Sequence, residues 1–97
     1  RFIFEGFIPL KKGRKTLMES LANEERTMIF YESPMRLVKT LELFATHFGA
    51  ERKASVRREV TKIYEENITD TLGNLVKYFS EKQVKGEIVI VVEGKND

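Results

Sequence analysis

Hydrophobic and polar residues follow two different periods along this chain, and the period changes about every ten to fifteen residues. Short extended segments rich in Ile, Val and aromatic residues are typical of strands. The pattern predicts four such strands, at residues 1–7, 27–31, 53–60 and 87–93, and a less regular fifth at 63–68. The segment 27–31 is continuously apolar in character, which predicts a strand buried on both faces, and 87–93 is predicted to be the final buried strand.

Three further segments repeat their apolar residues at intervals of three and four, as one face of an α-helix requires. Ser33 and Pro34 are typical of a cap and a first helical position, and Gly49 suits the left-handed position after a helix. Thr69 or Asp70 is expected to cap the third helix. The three apolar stripes are Leu17, Met18, Leu21 and Ala22; then Leu37, Leu41, Phe44 and Phe48; then Leu72, Leu75, Val76 and Phe79. These elements predict an α/β domain in which helices pack on a sheet, with the strand order left open.

The composition excludes several classes of function. The 97 residues fit one small domain. The 17 basic and 15 acidic residues, with a net charge of +2, exclude a polybasic tail but permit a local basic patch. The absence of Cys excludes disulfides and thiolate catalysis and favours a reducing compartment, and the single histidine, His47, excludes a pair of His ligands. We therefore expect no metal site.

The chain also lacks the signals of a membrane or secreted protein. Its longest apolar run, residues 88–92, is far too short to span a bilayer, and no signal-peptide pattern is present. A cytoplasmic location without membrane attachment is expected. Because the sequence begins with Arg1, we also expect it to be part of a longer protein.

The junction between the second strand and the second helix carries the first candidate site. In open α/β sheets, ligands gather beyond the carboxyl ends of strands. Tyr31, Glu32 and Arg36 lie at such an end and have the polar groups to orient a ligand. The alternative is that Ser33 and Pro34 only start the helix while the charged residues are solvated.

A second candidate is Arg58, which falls in phase with the apolar residues Ala54 and Val56 of its strand. A buried arginine needs a carboxylate or phosphate partner, and Glu59 points to the opposite side of the strand. Alternating charges on a strand can also be a solvated face with cross-strand ion pairs.

Two loops complete the candidates. The loop at residues 10–15 contains Lys11, Lys12, Arg14 and Lys15, which can either contact nucleic-acid phosphates or simply keep the surface soluble. Gly86, before the last strand, is typical of a turn, with close approach to a ligand as the less common reading.

Four segments in this order resemble the tetrapyrrole methylase family. They are residues 6–9 (GFIP) followed by Lys11, Arg14 and Leu17; residues 30–37 (FYESPMRL); residues 58–66 (REVTKIYEE); and residues 85–87 (KGE) before an Ile/Val strand. Each motif is weak alone, but the set covers nearly the whole chain. The sequence departs from the family pattern at Met35, where His is usual, and at Val60, where Leu is usual. The loss of an imidazole at position 35 makes a supporting role more plausible there than a catalytic one.

The resemblance implies a fold and an activity. The chain would be the C-terminal domain of a two-domain methyltransferase, a mixed five-stranded sheet with about three helices, whose N-terminal domain is absent here. The members that it most resembles use S-adenosylmethionine to methylate the ribose 2′-hydroxyl of a cytidine in small-subunit rRNA. The cofactor would lie in the cleft between the two domains.

The resemblance also implies roles for particular residues. Tyr31, Glu32, Ser33 and Arg36 would bind the cofactor. Arg58, Glu59 and Lys62 would lie at the catalytic end of the neighbouring strand, with Glu59 orienting Arg58 or Lys62 and Lys62 facing the acceptor. Lys11, Lys12, Arg14 and Lys15 would contact rRNA phosphates.

Two alternatives stay open at this point. Within the same family, the substrate can be a corrin or porphyrin precursor, although the basic loop favours RNA. Outside it, the chain can be a stand-alone RNA-binding module, against which we count aromatic residues that mostly fall on predicted buried stripes. The sequence leaves homodimerisation open.

Overall fold

The last strand of the chain lies in the middle of the sheet, between strands that precede it in sequence. The computed structural model describes residues 1–61 and 63–96. Its strands are β1 (Phe2–Phe7), β2 (Thr27–Glu32), β3 (Lys53–Thr61), β4 (Tyr64–Thr71) and β5 (Ile88–Val92), in the spatial order β1-β2-β5-β3-β4. β1 and β2 are parallel, and the other neighbouring pairs are antiparallel. The mixed five-stranded sheet is therefore confirmed, including the less regular strand, which pairs with β3 as β4.

Three helices cover one face of this sheet and enclose the core. They are α1 (Arg14–Leu21), α2 (Leu37–Phe48) and α3 (Leu72–Ser80), with a short 3-10 turn, Pro34–Arg36, before α2. The buried residues are the predicted helix stripes and alternate strand positions, among them Met18, Leu41, Phe44, Leu75, Met28, Phe30, Val56, Ile90 and Val92. The rings of Phe30 and Phe44 meet at 4.6 Å between centroids, which joins β2 to α2. No helix within residues 1–61 and 63–96 is long and apolar enough to cross a membrane.

The opposite face of the sheet has no helix packed on it in the described part of the chain. Its β2 residues are partly or fully exposed, so the prediction of a strand buried on both faces is wrong for β2. Phe2, Phe4, Phe7 and Tyr31 are all exposed here, and Tyr31 contacts Phe4 and Phe7 at centroid distances of 5.0 and 5.4 Å. The expectation that aromatic residues lie mostly on buried stripes is therefore wrong as well.

The beginnings of α1 and α2 differ from the sequence prediction. Arg14 and Lys15 form the first turn of α1 rather than the end of a loop, because Gly13 takes a positive φ of 84° and directs the chain into the helix. Ser33 and Pro34 do begin a helical segment, but its first turn is the 3-10 turn and the Ser33 side chain makes no capping hydrogen bond.

The start of α3 and the end of α2 also differ in detail from the sequence prediction. Thr71, rather than Thr69 or Asp70, caps α3: its hydroxyl accepts a hydrogen bond from the backbone N–H of Asn74 at 3.2 Å. Asp70 supports that cap by accepting bonds from the Thr71 N–H and the Asn74 side chain. Gly49 has the expected positive φ of 105° after α2, with an extended ψ of 137° in place of the left-handed helical value.

The segment after β5 returns to the loop between α1 and β2. The backbone N–H of Lys95 donates to the carbonyl of Glu24 at 2.7 Å, and a Cβ on Gly94 would clash with the carbonyl oxygen of Glu25. In the same loop, the Glu24 carboxylate accepts from the backbone N–H and the guanidinium of Arg26. These hydrogen bonds from Arg26 lower the pKa of Glu24 from 4.5 to about 2.

This pKa predicts an acid-sensitive contribution to stability. A carboxyl group whose pKa is depressed on folding stabilises the fold above its unfolded pKa, and that contribution disappears as the pH falls toward the folded pKa. Glu24→Gln should therefore reduce the loss of stability between about pH 4.5 and pH 2, measured by urea unfolding at a series of pH values. Glu25→Gln, one residue further and exposed, is the control and should retain the wild-type pH dependence. Identical pH profiles for the two variants would contradict the Glu24 assignment.

Gly13 and Gly86 both have a positive φ, but only Gly86 also lies close to another strand. A Cβ on Gly86 (φ 90°) would lie 2.8 Å from the carbonyl oxygen of Glu59 on β3, whereas Gly13 (φ 84°) has nothing within 4 Å of its Cβ position. Gly13→Ala should cost about 1–2 kcal/mol from the left-handed backbone alone. Gly86→Ala should cost at least about 1 kcal/mol more, because the Glu59 backbone must also move. Equal urea midpoints for the two variants would show that the close approach to β3 is unimportant.

Candidate functional site

A buried carboxylate organises the junction between β2 and α2. Glu32, the last residue of β2, is 3% exposed. Its Oε1 accepts hydrogen bonds from the backbone N–H of Ser33 at 2.7 Å and from the guanidinium of Arg36 at 3.0 and 3.1 Å. Its Oε2 accepts from the hydroxyl of Thr40. The alternative in which Glu32 and Arg36 are merely solvated is therefore wrong: both carboxylate oxygens are bonded.

Glu32 lies between two cavities on different sides of the junction. The first, which we call the helix-side cavity, has a volume of about 370 Å³ and lies between the loop after β1 and helix α2. The second, the strand-end cavity, has a volume of about 460 Å³ and lies at the ends of β1, β2 and β5. Glu32 lines both.

The two cavities divide the residues predicted to bind the cofactor. Tyr31 and Ser33 line the strand-end cavity together with Phe7, Gly86 and Glu87. Arg36 lines the helix-side cavity instead, on the far side of Glu32. The structure therefore brings three of the four predicted residues to one cavity and does not bring Arg36 there.

Met35, the position where the family usually has His, points to neither cavity. Its side chain is 93% exposed and lies beside a third depression formed with Phe79, Lys82 and Val84. A side chain at this position does not reach Tyr31 or Ser33 through the cavity that these residues line. The side chain at position 35 therefore lies away from the residues predicted to bind the cofactor.

Arg58 has the phase predicted for it, on the same side of β3 as Ala54 and Val56. Its Nε donates to Oε1 of Glu66, the residue directly opposite on β4, at 2.6 Å. The partner of Arg58 is thus Glu66 rather than Glu59. A strand positions side chains two residues apart on one face and opposite residues side by side, which gives this ion pair its geometry.

Glu59 points to the open face of the sheet. It is exposed, and it lines a shallow cavity of about 370 Å³ with Arg57, Glu65 and Glu87. Glu87 also lines the strand-end cavity, so the two depressions share a border. Lys62 lies outside the described residues, as do the side chains of Val60 and Thr61.

The basic loop stays exposed beside the helix-side cavity. Lys11, Lys12, Arg14 and Lys15 are all solvent-exposed, and Arg14 lines the cavity opposite Arg36 and Lys39. Lys39 and Thr40 were not predicted as site residues, because in the sequence they look like ordinary polar positions of an amphipathic helix. Their spacing from Arg36, at three and four residues, is the signal that would have placed them on the same helix face. Within residues 1–61 and 63–96, no group of three or more His, Asp or Glu side chains is placed to hold a metal ion.

No family model matches the chain, but it is similar to individual proteins of known name. The chain is 46% identical over 95 residues to a protein named ribosomal RNA small subunit methyltransferase I from Synechocystis sp., covering 97% of this chain and 34% of the relative. Proteins of the same name from Bacillus subtilis and Thermotoga maritima are 42% and 39% identical, covering 99% and 98% of this chain and 33% and 42% of those relatives. The chain therefore spans about a third of the length of such relatives.

Solved structures share the fold at much lower identity. The structure of a cobalamin biosynthetic enzyme, cobalt precorrin-4 methyltransferase, aligns with a TM-score of 0.69 and 15% identity, covering 96% of this chain and 40% of that one. The methyltransferase CobJ aligns with a TM-score of 0.64 and 19% identity, covering 96% and 41%. These likenesses show that the chain shares its fold with part of each of these two methyltransferases. Over nearly its whole length, the chain is also similar in sequence to one part of the proteins named ribosomal RNA small subunit methyltransferase I.

Proposed function

We propose that this chain is the C-terminal domain of an S-adenosylmethionine-dependent methyltransferase that methylates a cytidine ribose 2′-hydroxyl in small-subunit rRNA. The similarity of almost the entire chain to relatives named for this class of enzyme carries the proposal. Because the chain spans only about a third of those relatives, a second, N-terminal domain would complete the active site. The work of such an enzyme would be cytoplasmic, and a homodimer is compatible with the proposal.

The strand-end cavity has the chemistry to hold part of the methyl donor. Phe7 and Tyr31 offer aromatic surfaces, which suit the flat apolar faces of an adenine ring. Ser33 and Glu87 add polar groups that can bind ribose hydroxyls or amines. Gly86 lets the backbone pass close to β3 without a side chain filling the entrance. These features fit the donor, with the remaining contacts left to the other domain.

The reaction asks the protein chiefly for alignment and exclusion of water, because the bound donor supplies an already activated methyl group. The acceptor hydroxyl must also lose its proton. We assign to Glu59 the role of assisting the removal of this proton. Its carboxylate is exposed on the open face, next to the strand-end cavity. Arg58 would support the strand end through its ion pair with Glu66, and Lys62 would face the acceptor.

The basic loop supports RNA over a corrin or porphyrin substrate. Lys11, Lys12, Arg14 and Lys15 form one exposed cluster, whereas the chain as a whole has a net charge of only +2. Such local concentration of positive charge favours a polyanion. A tetrapyrrole substrate is the second candidate, supported by the fold of cobalt precorrin-4 methyltransferase.

A stand-alone RNA-binding module is a weaker alternative, although the exposed aromatic residues remove one objection to it. Phe4 and Phe7 each contact Tyr31 on the open face, and these rings could stack with bases. The similarity to methyltransferases over 97% of the chain nevertheless favours an enzyme domain.

The cofactor proposal predicts a localised response to S-adenosylhomocysteine. In amide NMR titrations of this chain, shifts should concentrate at Tyr31, Ser33, Gly86 and Glu87. Base–aromatic stacking contributes about 1–3 kcal/mol. Tyr31→Leu should therefore weaken binding by at least about 5-fold. Tyr78→Leu, which removes a similarly exposed tyrosine from α3, should leave the affinity unchanged. Shifts confined to other surfaces would contradict the placement of the cofactor.

The catalytic proposal is tested in a full-length protein that contains this sequence. Glu59→Gln should lower the rate of rRNA 2′-O-methylation by about 100-fold or more if the carboxylate assists proton removal. Glu81→Gln, an exposed position after α3, is the control for the loss of one negative charge. Unchanged methylation in the Glu59 variant would rule out a catalytic role for this residue.

A further inference from the structure

The helix-side cavity is distinct from the cavity assigned to the cofactor, and three of its five charged lining residues are basic. Arg14 from the start of α1, Arg36 from the 3-10 turn and Lys39 from α2 line it together. Glu42 is the carboxylate on its wall that has no ion pair in the described part of the chain, since Glu32 is paired with Arg36. Neither Arg14 nor Lys39 forms an ion pair with a described residue.

The guanidinium of Arg36 is held in a fixed position with part of its donor capacity unused. Its Nε and Nη2 both donate to Oε1 of Glu32, while Nη1 has no hydrogen-bond partner among the described residues. The side chain of Arg36 remains 33% exposed, whereas that of Glu32 is 1% exposed. Glu32 is itself fixed through Thr40 and the Ser33 N–H. Because this guanidinium is already held in place, binding an anion costs less side-chain entropy.

We infer that Arg14, Arg36 and Lys39 form a receptor for one phosphodiester group of the RNA substrate, with Glu32 as the positioning residue that holds Arg36. The inference rests on the proposed function for the identity of the substrate. A phosphodiester fits because its two free oxygens carry one delocalised charge and accept the parallel N–H groups of a guanidinium. The neighbouring lysines Lys11, Lys12 and Lys15 would attract the adjacent phosphates without fixing their positions.

The first test measures how salt affects binding of a fluorescently labelled ten-nucleotide single-stranded RNA to this chain. For single strands, each phosphate contact contributes about 0.7 to the slope of log K against log salt concentration. Lys39→Gln and Arg14→Gln should each lower the magnitude of the slope, and the double variant should lower it by about 0.7, because both residues contact the same phosphate. Lys77→Gln removes a lysine from the exposed side of α3 and serves as the matched control, with a smaller change expected. Equal effects of Lys39→Gln and Lys77→Gln, or no RNA binding at low salt, would overturn the assignment.

The second test addresses the positioning role of Glu32. Thr40→Val removes the hydroxyl that holds Oε2 of Glu32, whereas Thr40→Ser retains it. Thr40→Val should weaken RNA binding by about 3-fold or more, because it removes a charge-assisted hydrogen bond to Glu32. Thr40→Ser, which keeps that hydrogen bond, should bind RNA like the wild type. Urea unfolding of both variants identifies a loss of folding. Reduced stability with unchanged RNA affinity and salt slope would mean that the Glu32 cluster is only structural.

A third measurement separates this inference from the proposed function and from free anions. Inorganic phosphate should shift the side-chain Nε signal of Arg36 and should not compete with S-adenosylhomocysteine. If phosphate shifts that signal but Lys39→Gln leaves the RNA affinity unchanged, the cavity binds free anions and the RNA assignment is wrong. If S-adenosylhomocysteine binds at the strand-end cavity but none of the variants in the helix-side cavity changes RNA binding, the phosphodiester receptor is ruled out. The proposed methyltransferase function would still stand.

Discussion

The burial of Glu32 at the end of β2 is the constraint on which the arrangement of the site depends. A carboxylate removed from water is costly unless hydrogen bonds and an opposite charge replace its solvation. Here the backbone of Ser33, the guanidinium of Arg36 and the hydroxyl of Thr40 supply that replacement. The three donors come from the residue after β2, the 3-10 turn and the first turn of α2. Satisfying one carboxylate therefore fixes the angle at which the helix leaves the sheet.

The same cluster separates two chemically different cavities. On one side of Glu32, the ends of β1, β2 and β5 form an apolar depression with Tyr31 and Phe7. On the other side, α2 and the start of α1 form a basic one with Arg36 and Lys39. A methyltransferase acting on RNA needs both chemistries close together, because the flat adenine ring of the donor and a polyanionic acceptor must be held side by side. A single residue at the strand end gives them a common wall.

The sequence predicted the elements well where a single periodicity decides the structure. The stripe of α2 and the phase of Arg58 follow from local spacing, because burial of one face is the dominant energetic requirement. The caps were less predictable. Thr69, Asp70 and Thr71 are adjacent residues that can all cap a helix. The one that does so depends on the residue at which β4 stops pairing with β3. Periodicity contains no information about that register.

The candidate site was less predictable than the fold for a related reason. Residues close in sequence can line different cavities, as Ser33 and Arg36 do. The partner of Arg58, Glu66, became visible only once the β3–β4 register was known. The open face adds a further case. Phe2 and Phe4 alternate with Ile3, so the pattern identifies two faces of β1 but not which of them the helices cover. Helix packing on the Ile3 side leaves the larger aromatic rings exposed, and that exposed surface borders the cavity at which a second domain would complete the proposed active site.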